Sequence, residues 1–292
     1  MTTASDWIAG SRPRTLPAAV PASTGVAAYV DEPIWWKAFG AMIVSLALQV
    51  GVNFANDYSD GVRGTDEDRV GPMRLVGSGA ASPRSVKWAA FAAFGVAGVA
   101  GLFLAAATDW WLVAIGAVCI VAAWFYTGGK NPYGYLGLGE VMVFVFFGLV
   151  AVMGTAYVQT ESLAGDALLP SFYAAVAIGA LACAILVANN LRDIPSDREV
   201  GKRTLAVALG DERTRHLFAF LMLTAAVAVL GIALSTTWWA LLGLVYAVPA
   251  ASAVRIVVGE RAGGPGLIPV LAKTGVAELL LGLGLFAGLL LG

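Results

Sequence analysis

The sequence predicts an all-α polytopic membrane protein: nine transmembrane helices in a bundle, with the N-terminus in the cytoplasm. Three observations carry that prediction. The 292 residues are 59% hydrophobic and 13% charged, with a mean hydropathy of +0.80, whereas an ordinary soluble domain carries about 25% charged residues. Apolar stretches long enough to cross about 30 Å of hydrocarbon recur along the chain. The basic residues are confined to alternate loops.

The predicted spans are 15–30, 35–57, 86–107, 110–127, 139–158, 170–191, 214–235, 238–258 and 270–291. The first is short and carries Pro17 and Pro21. With the N-terminus inside, seventeen of the eighteen Lys and Arg fall in the N-terminal segment or in the even-to-odd loops, and only Lys37 falls outside. The odd-to-even loops carry Asp31, Glu32, Asp109, Glu161 and Asp166 instead. The positive-inside rule therefore puts the two long loops, about 58–85 and 192–213, in the cytoplasm. Trp35-Trp36, Trp110-Trp111 and Trp238-Trp239 close the outer ends of their spans as an aromatic belt. Gly95, Gly98 and Gly101, like Gly282, Gly284 and Gly288, read as close helix packing. Residues 1–292 read as one domain without low-complexity segments, and Met1 to Arg14 shows no signal-peptide pattern. Cys119 and Cys183 lie inside spans as small core hydrophobes. A net charge of −1 says nothing about partners, and nucleic acid is not expected.

Two acid-rich runs end spans two and six: Asn53-Phe-Ala-Asn-Asp-Tyr-Ser-Asp60 and Asn189-Asn-Leu-Arg-Asp-Ile-Pro-Ser-Asp197. A carboxylate at membrane depth costs about 2.5–3.5 kcal/mol on insertion scales, so several together point to function. Positions i, i+4 and i+7 share a helix face. Asn53, Asp57 and Asp60 have that spacing, and Asn189, Asp193 and Asp197 nearly so. Oxygen-only ligands suit a hard cation such as Mg²⁺, which shares its shell with substrate phosphates. One His and two apolar-segment Cys argue against zinc or iron.

Basic residues follow each run: Arg69 and Arg74 after the first, Lys202 and Arg203 after the second. Lys130 lies in the glycine-rich loop Tyr126-Thr-Gly-Gly-Lys-Asn-Pro-Tyr-Gly-Tyr135. Carboxylates with Mg²⁺ plus Lys and Arg form a diphosphate clamp, although plain topology also accounts for many of these cations. Glu140 opens span five as a candidate for orienting a substrate or a cation. Gln49 lines the same cavity or bonds a neighbouring helix, Glu278 within span nine needs a partner or a proton, and His216 reads as interfacial.

At these residues the chain resembles the UbiA superfamily of intramembrane prenyltransferases. Its two motifs correspond to Asn53-x3-Asp57-x2-Asp60, with Asp66 further on, and to Asp193-x3-Asp197. Within the superfamily it looks most like the branch that prenylates 1,4-dihydroxy-2-naphthoate in menaquinone synthesis. That likeness is carried by Arg12-Pro-Arg-Thr-Leu-Pro17, Asn56-Asp-Tyr-Ser-Asp-Gly61, Gly64-Thr-Asp66, Arg69-Val-Gly-Pro72, Tyr126-Thr-Gly-Gly129, Gly134-Tyr-Leu-Gly-Leu-Gly-Glu140, Asn189-Asn-Leu-Arg-Asp193 and Lys202-Arg-Thr-Leu-Ala206.

The resemblance implies a bundle around a central cavity, in the plasma membrane, with the active-site mouth facing the cytoplasm. It implies Mg²⁺-dependent transfer of a polyprenyl group from polyprenyl diphosphate to 1,4-dihydroxy-2-naphthoate, with loss of CO₂ and diphosphate, giving demethylmenaquinone. Asp57, Asp60, Asp193 and Asp197 would be catalytic, holding Mg²⁺ with Asn53, Asp66 and Asn189. Lys202, Lys130, Arg69 and Arg74 would balance the diphosphate, Tyr58 and Tyr126 would face the carbocation, and Arg12 or Arg14 would hold the acceptor's carboxylate. Other acceptors stay open, among them 4-hydroxybenzoate or a haem or chlorophyll precursor. A cation-coupled transporter would place its carboxylates near the midplane on broken helices, and a scaffold would not need two oxygen-rich faces at matching depth.

Overall fold

A computed structural model describes residues 2–13, 16, 33–64 and 73–292, and its regular elements there are all helical. Apart from Leu16, the predicted span 15–30 lies outside the described residues. The other eight predicted spans each coincide with a helix. Seven are long and apolar enough to cross a membrane. The exception is the apolar helix 112–125, whose 14 residues reach only about 21 Å at a rise of about 1.5 Å per residue.

Helix α1 (Ala4–Gly10) is short and begins with a reciprocal capping box between Thr3 and Asp6. Helix α2 (Trp35–Arg63) runs past the predicted end at 57 and stops at Gly64, which takes the left-handed conformation (φ 73°). Asp57 and Asp60 are therefore both helical. Ser82 caps α3 (Pro83–Ala106), with Pro83 in the first turn. Helix α4 (Leu112–Phe125) is followed by a polar loop and then by α5 (Gly139–Thr160), π-helical from Phe144 to Met153.

Helix α6 (Leu168–Glu199) continues through Pro195, so Asp193 and Asp197 stand one turn apart on it. Thr204 caps α7 (Leu205–Ser235), which breaks at Gly210 (φ 79°). Helix α8 (Trp238–Gly259) and helix α9 (Ile268–Leu291) complete the bundle.

Helix α6 is the most buried span and packs against α5, α7 and α9. Its apolar face joins Leu181, Ala184 and Ile178 to Phe218, Ile232 and Leu281 in the larger core. A smaller core under α2 and α3 holds Phe54, Leu75, Val86, Ala90 and Phe94. Small residues allow the closest approaches: a Cβ on Gly148 of α5 would meet the Ala175 carbonyl at 2.6 Å. Gly284 and Gly288 press in the same way on the backbone of α8. Gly95, Gly98 and Gly101 do not: a Cβ there would meet nothing within 4 Å. They share α3 with exposed Val96, Val99, Leu102 and Phe103, a lipid-type surface rather than a helix contact.

Lys37, the exception to the charge asymmetry, is buried at the start of α2 and pairs with Glu161 at 3.2 Å. Beside it, Gln159 accepts from the Ile34 N–H at 2.8 Å and donates to the Ile34 carbonyl at 3.1 Å. The charge is thus neutralised within a clasp between α2 and α5. All six belt tryptophans are exposed, as is His216, while Cys183 is buried and Cys119 half-buried.

Candidate active site

The polar ends of α2 and α6 bring buried charge together. On α2, Asn53, Asp57 and Asp60 are all buried, as their shared face requires, but each meets a different partner. The Asn53 amide donates to the Ser11 carbonyl at 2.9 Å, which seats the end of α1 and neighbouring Arg12 (φ 55°). Asp57 accepts two backbone N–H groups, from Leu75 at 2.7 Å and from Val76 at 3.0 Å. Asp60 accepts from the Tyr135 hydroxyl at 2.6 Å and faces Arg74 at 3.8 Å and Lys202 at 3.7 Å. Two cations and a phenol converge on one carboxylate, the kind of donors that also bind an anion.

Lys202 joins the two motifs. Its backbone N–H donates to the Asp197 carbonyl at 2.8 Å while its ammonium reaches Asp60. That ammonium also lies 4.5 Å from the Tyr135 ring centroid, with the Arg63 guanidinium 5.3 Å from the same ring. The Tyr135 carbonyl accepts the Arg203 N–H at 3.0 Å, so the loop before α5 is stitched to the loop after α6. Arg63 itself donates to the Thr127 and Gly129 carbonyls, and the Thr127 hydroxyl donates to Asn56 at 2.8 Å. The glycine-rich loop is thereby fixed to the end of α2.

On α6 the partners are nearer in sequence. Asp193 takes a two-pronged bond from its neighbour Arg192, at 2.6 and 2.8 Å, with both side chains buried. The Thr204 hydroxyl, which caps α7, approaches Asp197 at 3.5 Å. Asn190 donates to Glu140 at 2.9 Å, and Asn189 is half-buried one turn before Asp193. Glu140 is buried at the start of α5, where its carbonyl accepts from the Cys183 thiol at 3.0 Å. Glu278 is wholly buried in α9, and among the described residues neither of its oxygens has a hydrogen-bond partner.

Several predicted residues are placed elsewhere. Lys130 is exposed, and among the described residues it makes no ion pair or hydrogen bond. Tyr58 turns to α4, stacking on Trp124 at 6.0 Å, which stacks in turn on Phe91 at 4.8 Å; Lys87 lies over its ring. Tyr126, by contrast, stays beside the site: it packs edge-to-face on Tyr133 at 5.5 Å and its hydroxyl lies against Gly139, next to Glu140. Burial pushes the Tyr133 phenol up to about 12, so it stays a neutral donor to the Ala122 carbonyl at 2.8 Å. Arg14, Asp66 and Arg69 lie outside the described residues. Sequence reading missed Tyr135, Arg63, Asn56, Thr127, Asn190 and Arg192 as members of this network. Only the polarity of the runs containing them hinted at it.

Donor chemistry decides what ion would fit. Asp60, Asp193 and Asp197 offer carboxylate oxygens, the set a hard divalent ion prefers. Among the described residues no group of three or more His, Cys, Asp or Glu is placed to hold a metal ion. Mg²⁺ is usually bound through one or two carboxylates together with substrate phosphates.

A bundle of membrane-spanning helices with paired acidic helix ends and clamped cations defines the class, and the UbiA prenyltransferase family model matches residues 18–264. The chain belongs to that family. It is 52% identical to the 1,4-dihydroxy-2-naphthoate octaprenyltransferase of Mycobacterium tuberculosis, over 100% of this chain and 99% of the relative. A solved apo structure of a UbiA homolog from Aeropyrum pernix superposes with a TM-score of 0.74 at 15% identity, covering 94% of this chain and 97% of that one. A UbiA homolog from Archaeoglobus fulgidus, solved with DMAPP and Mg²⁺, gives a TM-score of 0.59 at 15% identity over 97% and 98% of the chains.

Proposed function

We propose that this membrane enzyme transfers a polyprenyl group from its diphosphate to 1,4-dihydroxy-2-naphthoate, with the polar end of the bundle facing the cytoplasm. The observation that carries this reading is the bridge made by Lys202, which ties Asp60 of α2 to Asp197 of α6, with Arg74 on the same carboxylate. End-to-end identity with the mycobacterial relative supports the naphthoate as acceptor.

Asp60, Asp193 and Asp197 are the residues that would hold Mg²⁺. Once bound, the ion supplies charge neutralisation for the diphosphate. Lys202 and Arg74 stand where the diphosphate oxygens would be met, and Tyr135 is the hydrogen-bond donor between them. These groups favour the allylic C–O bond breaking, because the departing oxygen gains negative charge that they stabilise. The allylic cation needs a dry site with aromatic faces, for which Tyr126 and Tyr135 are the nearby rings. Attack by the ring carbon that bears the carboxylate forms the new C–C bond. Loss of that carboxylate as CO₂ restores aromaticity and gives the prenylated naphthoquinol, the reduced form of demethylmenaquinone. Glu140, held by Asn190, would orient the acceptor's hydroxyl, and Arg12 would meet its carboxylate.

The test is an assay of the purified protein with a polyprenyl diphosphate and Mg²⁺, with 1,4-dihydroxy-2-naphthoate and 4-hydroxybenzoate in parallel. Prenylated product and CO₂ from the naphthoate alone, abolished by EDTA and restored by Mg²⁺, are expected. Turnover of 4-hydroxybenzoate alone would reassign the acceptor, and ion-driven solute uptake without prenylation would refute the enzyme.

A further inference from the structure

The first acidic motif is divided in its labour. We infer that Asp57 is a positioning residue, fastening the segment Arg74-Leu75-Val76 onto α2 so that Arg74 stands beside Asp60. The inference rests on the diphosphate-clamp reading above and assigns Asp57 a different task from the other motif carboxylates.

Asp57 is 1% exposed, and its two oxygens accept separate backbone amides, Leu75 on one and Val76 on the other. Such charge-assisted bonds are about twice as strong as neutral ones, and this pair takes up both oxygens. The segment they hold is built to be held. Leu75 is fully buried in the smaller core with Phe54, Val86 and Phe94. A Cβ on Gly61 would collide with Val76, and one on Gly10 would collide with Leu75, so glycine at both positions makes room for this docking. The following residues fold back on it, with the Ala81 N–H on the Leu75 carbonyl at 2.9 Å and the Ser78 N–H on the Arg74 carbonyl at 3.0 Å. Arg74 directly precedes the two gripped amides, and Asp60 lies one helical turn after Asp57. The register therefore delivers the guanidinium to the carboxylate that also faces Lys202 and Tyr135. Asp57 acts on the diphosphate only through Arg74.

The test uses full-length enzyme in detergent, comparing Asp57→Asn, Asp60→Asn, Arg74→Ala, Asp57→Asn/Arg74→Ala and Gly61→Ala. In Asp57→Asn, hydrogen exchange at the Leu75 and Val76 amides is expected to accelerate, and KM for polyprenyl diphosphate to rise about tenfold. The naphthoate KM and the Mg²⁺ concentration for half-maximal rate are expected to stay within about twofold, unlike in Asp60→Asn. Arg74→Ala should cost about as much alone as Asp57→Asn and add less than about twofold on top of it, the non-additivity of groups acting in series. Gly61→Ala leaves the carboxylate intact but displaces Val76, so it should reproduce the exchange and KM changes even if Asp57→Asn does not fold. The inference is overturned if Asp57→Asn shifts the Mg²⁺ dependence as Asp60→Asn does while both amides stay protected, or if Gly61→Ala changes neither exchange nor KM. The exchange measurement needs no substrate, so it decides the role of Asp57 even if the acceptor proves to be another aromatic.

Discussion

The acidic ends of α2 and α6 carry similar residues but are assembled in opposite ways. On α2 the described partners come from far along the chain: Ser11 to Asn53, Leu75 and Val76 to Asp57, Tyr135 and Lys202 to Asp60. On α6 they are close at hand: Arg192 beside Asp193, and Lys202 and Thr204 in the loop directly after Asp197. Among the contacts described, those of the second motif lie within one helix and its following loop, whereas those of the first come from four other segments. One end is pre-formed and the other is tertiary, so perturbations should act on them differently.

The sharpest test is to neutralise one carboxylate at each end. Asp60→Asn removes an acidic group shared by Tyr135, Arg74 and Lys202, and should lower kcat/KM by about 10²–10³. Its cost in thermal stability should be smaller than at Asp193, because the ion pairs it breaks are longer, 3.7 and 3.8 Å against 2.6 and 2.8 Å. Asp193→Asn should also lose most turnover, but it strands a buried guanidinium. Breaking a buried pair in that way costs about 3–5 kcal/mol, seen as a fall in Tm that the double change Asp193→Asn/Arg192→Leu should largely reverse without restoring activity. Equal Tm losses at the two positions would contradict the contrast between a pre-formed and a docked motif.

A smaller effect tests the stitching. Tyr135→Phe deletes the 2.6 Å bond to Asp60, and a hydrogen bond to a charged group is worth about 1.5–3 kcal/mol. Roughly tenfold or more in kcat/KM is therefore expected, appearing in the KM for polyprenyl diphosphate. An unchanged KM would mean that the phenol serves only to hold its loop.

The same contrast explains what could be read from the chain alone. Hydropathy located eight helices, and seven of them present an apolar surface as long as the hydrocarbon they would cross. The four-residue spacing placed Asp193 and Asp197 correctly on α6, even though the predicted span ended at 191. What escaped were contacts between residues distant in sequence. Nothing near Asp57 announces Leu75 and Val76, and nothing in the spacing of Tyr135 points to Asp60. Closeness in sequence also misled: Tyr58 follows Asp57 directly, but a helix turns about 100° per residue, which swings its ring to Trp124. The glycines of α3 illustrate the same gap, since composition could not tell a helix contact from a lipid-facing stripe.

The two lysines of the polar loops give the last and smallest effect. Both follow span ends, and both were candidates for the diphosphate. Lys202 is 3.7 Å from Asp60 and over the Tyr135 ring, with its side chain 13% exposed. Lys130 is exposed on the turn after Gly129. The Arg63 guanidinium, not Lys130, takes the carbonyls of that turn and joins it to α2. A cation already at a buried anion site contributes through both Coulomb attraction and reduced screening, whereas an exposed one is screened within about 8–10 Å. Lys202→Ala should therefore cost about tenfold or more in kcat/KM, and Lys130→Ala less than about twofold. Raising the salt concentration should weaken whatever small contribution Lys130 makes and leave the ratio of wild type to Lys202→Ala nearly constant. A large, salt-resistant loss in Lys130→Ala would show that this loop closes onto the diphosphate during turnover, and would move the lysine into the site.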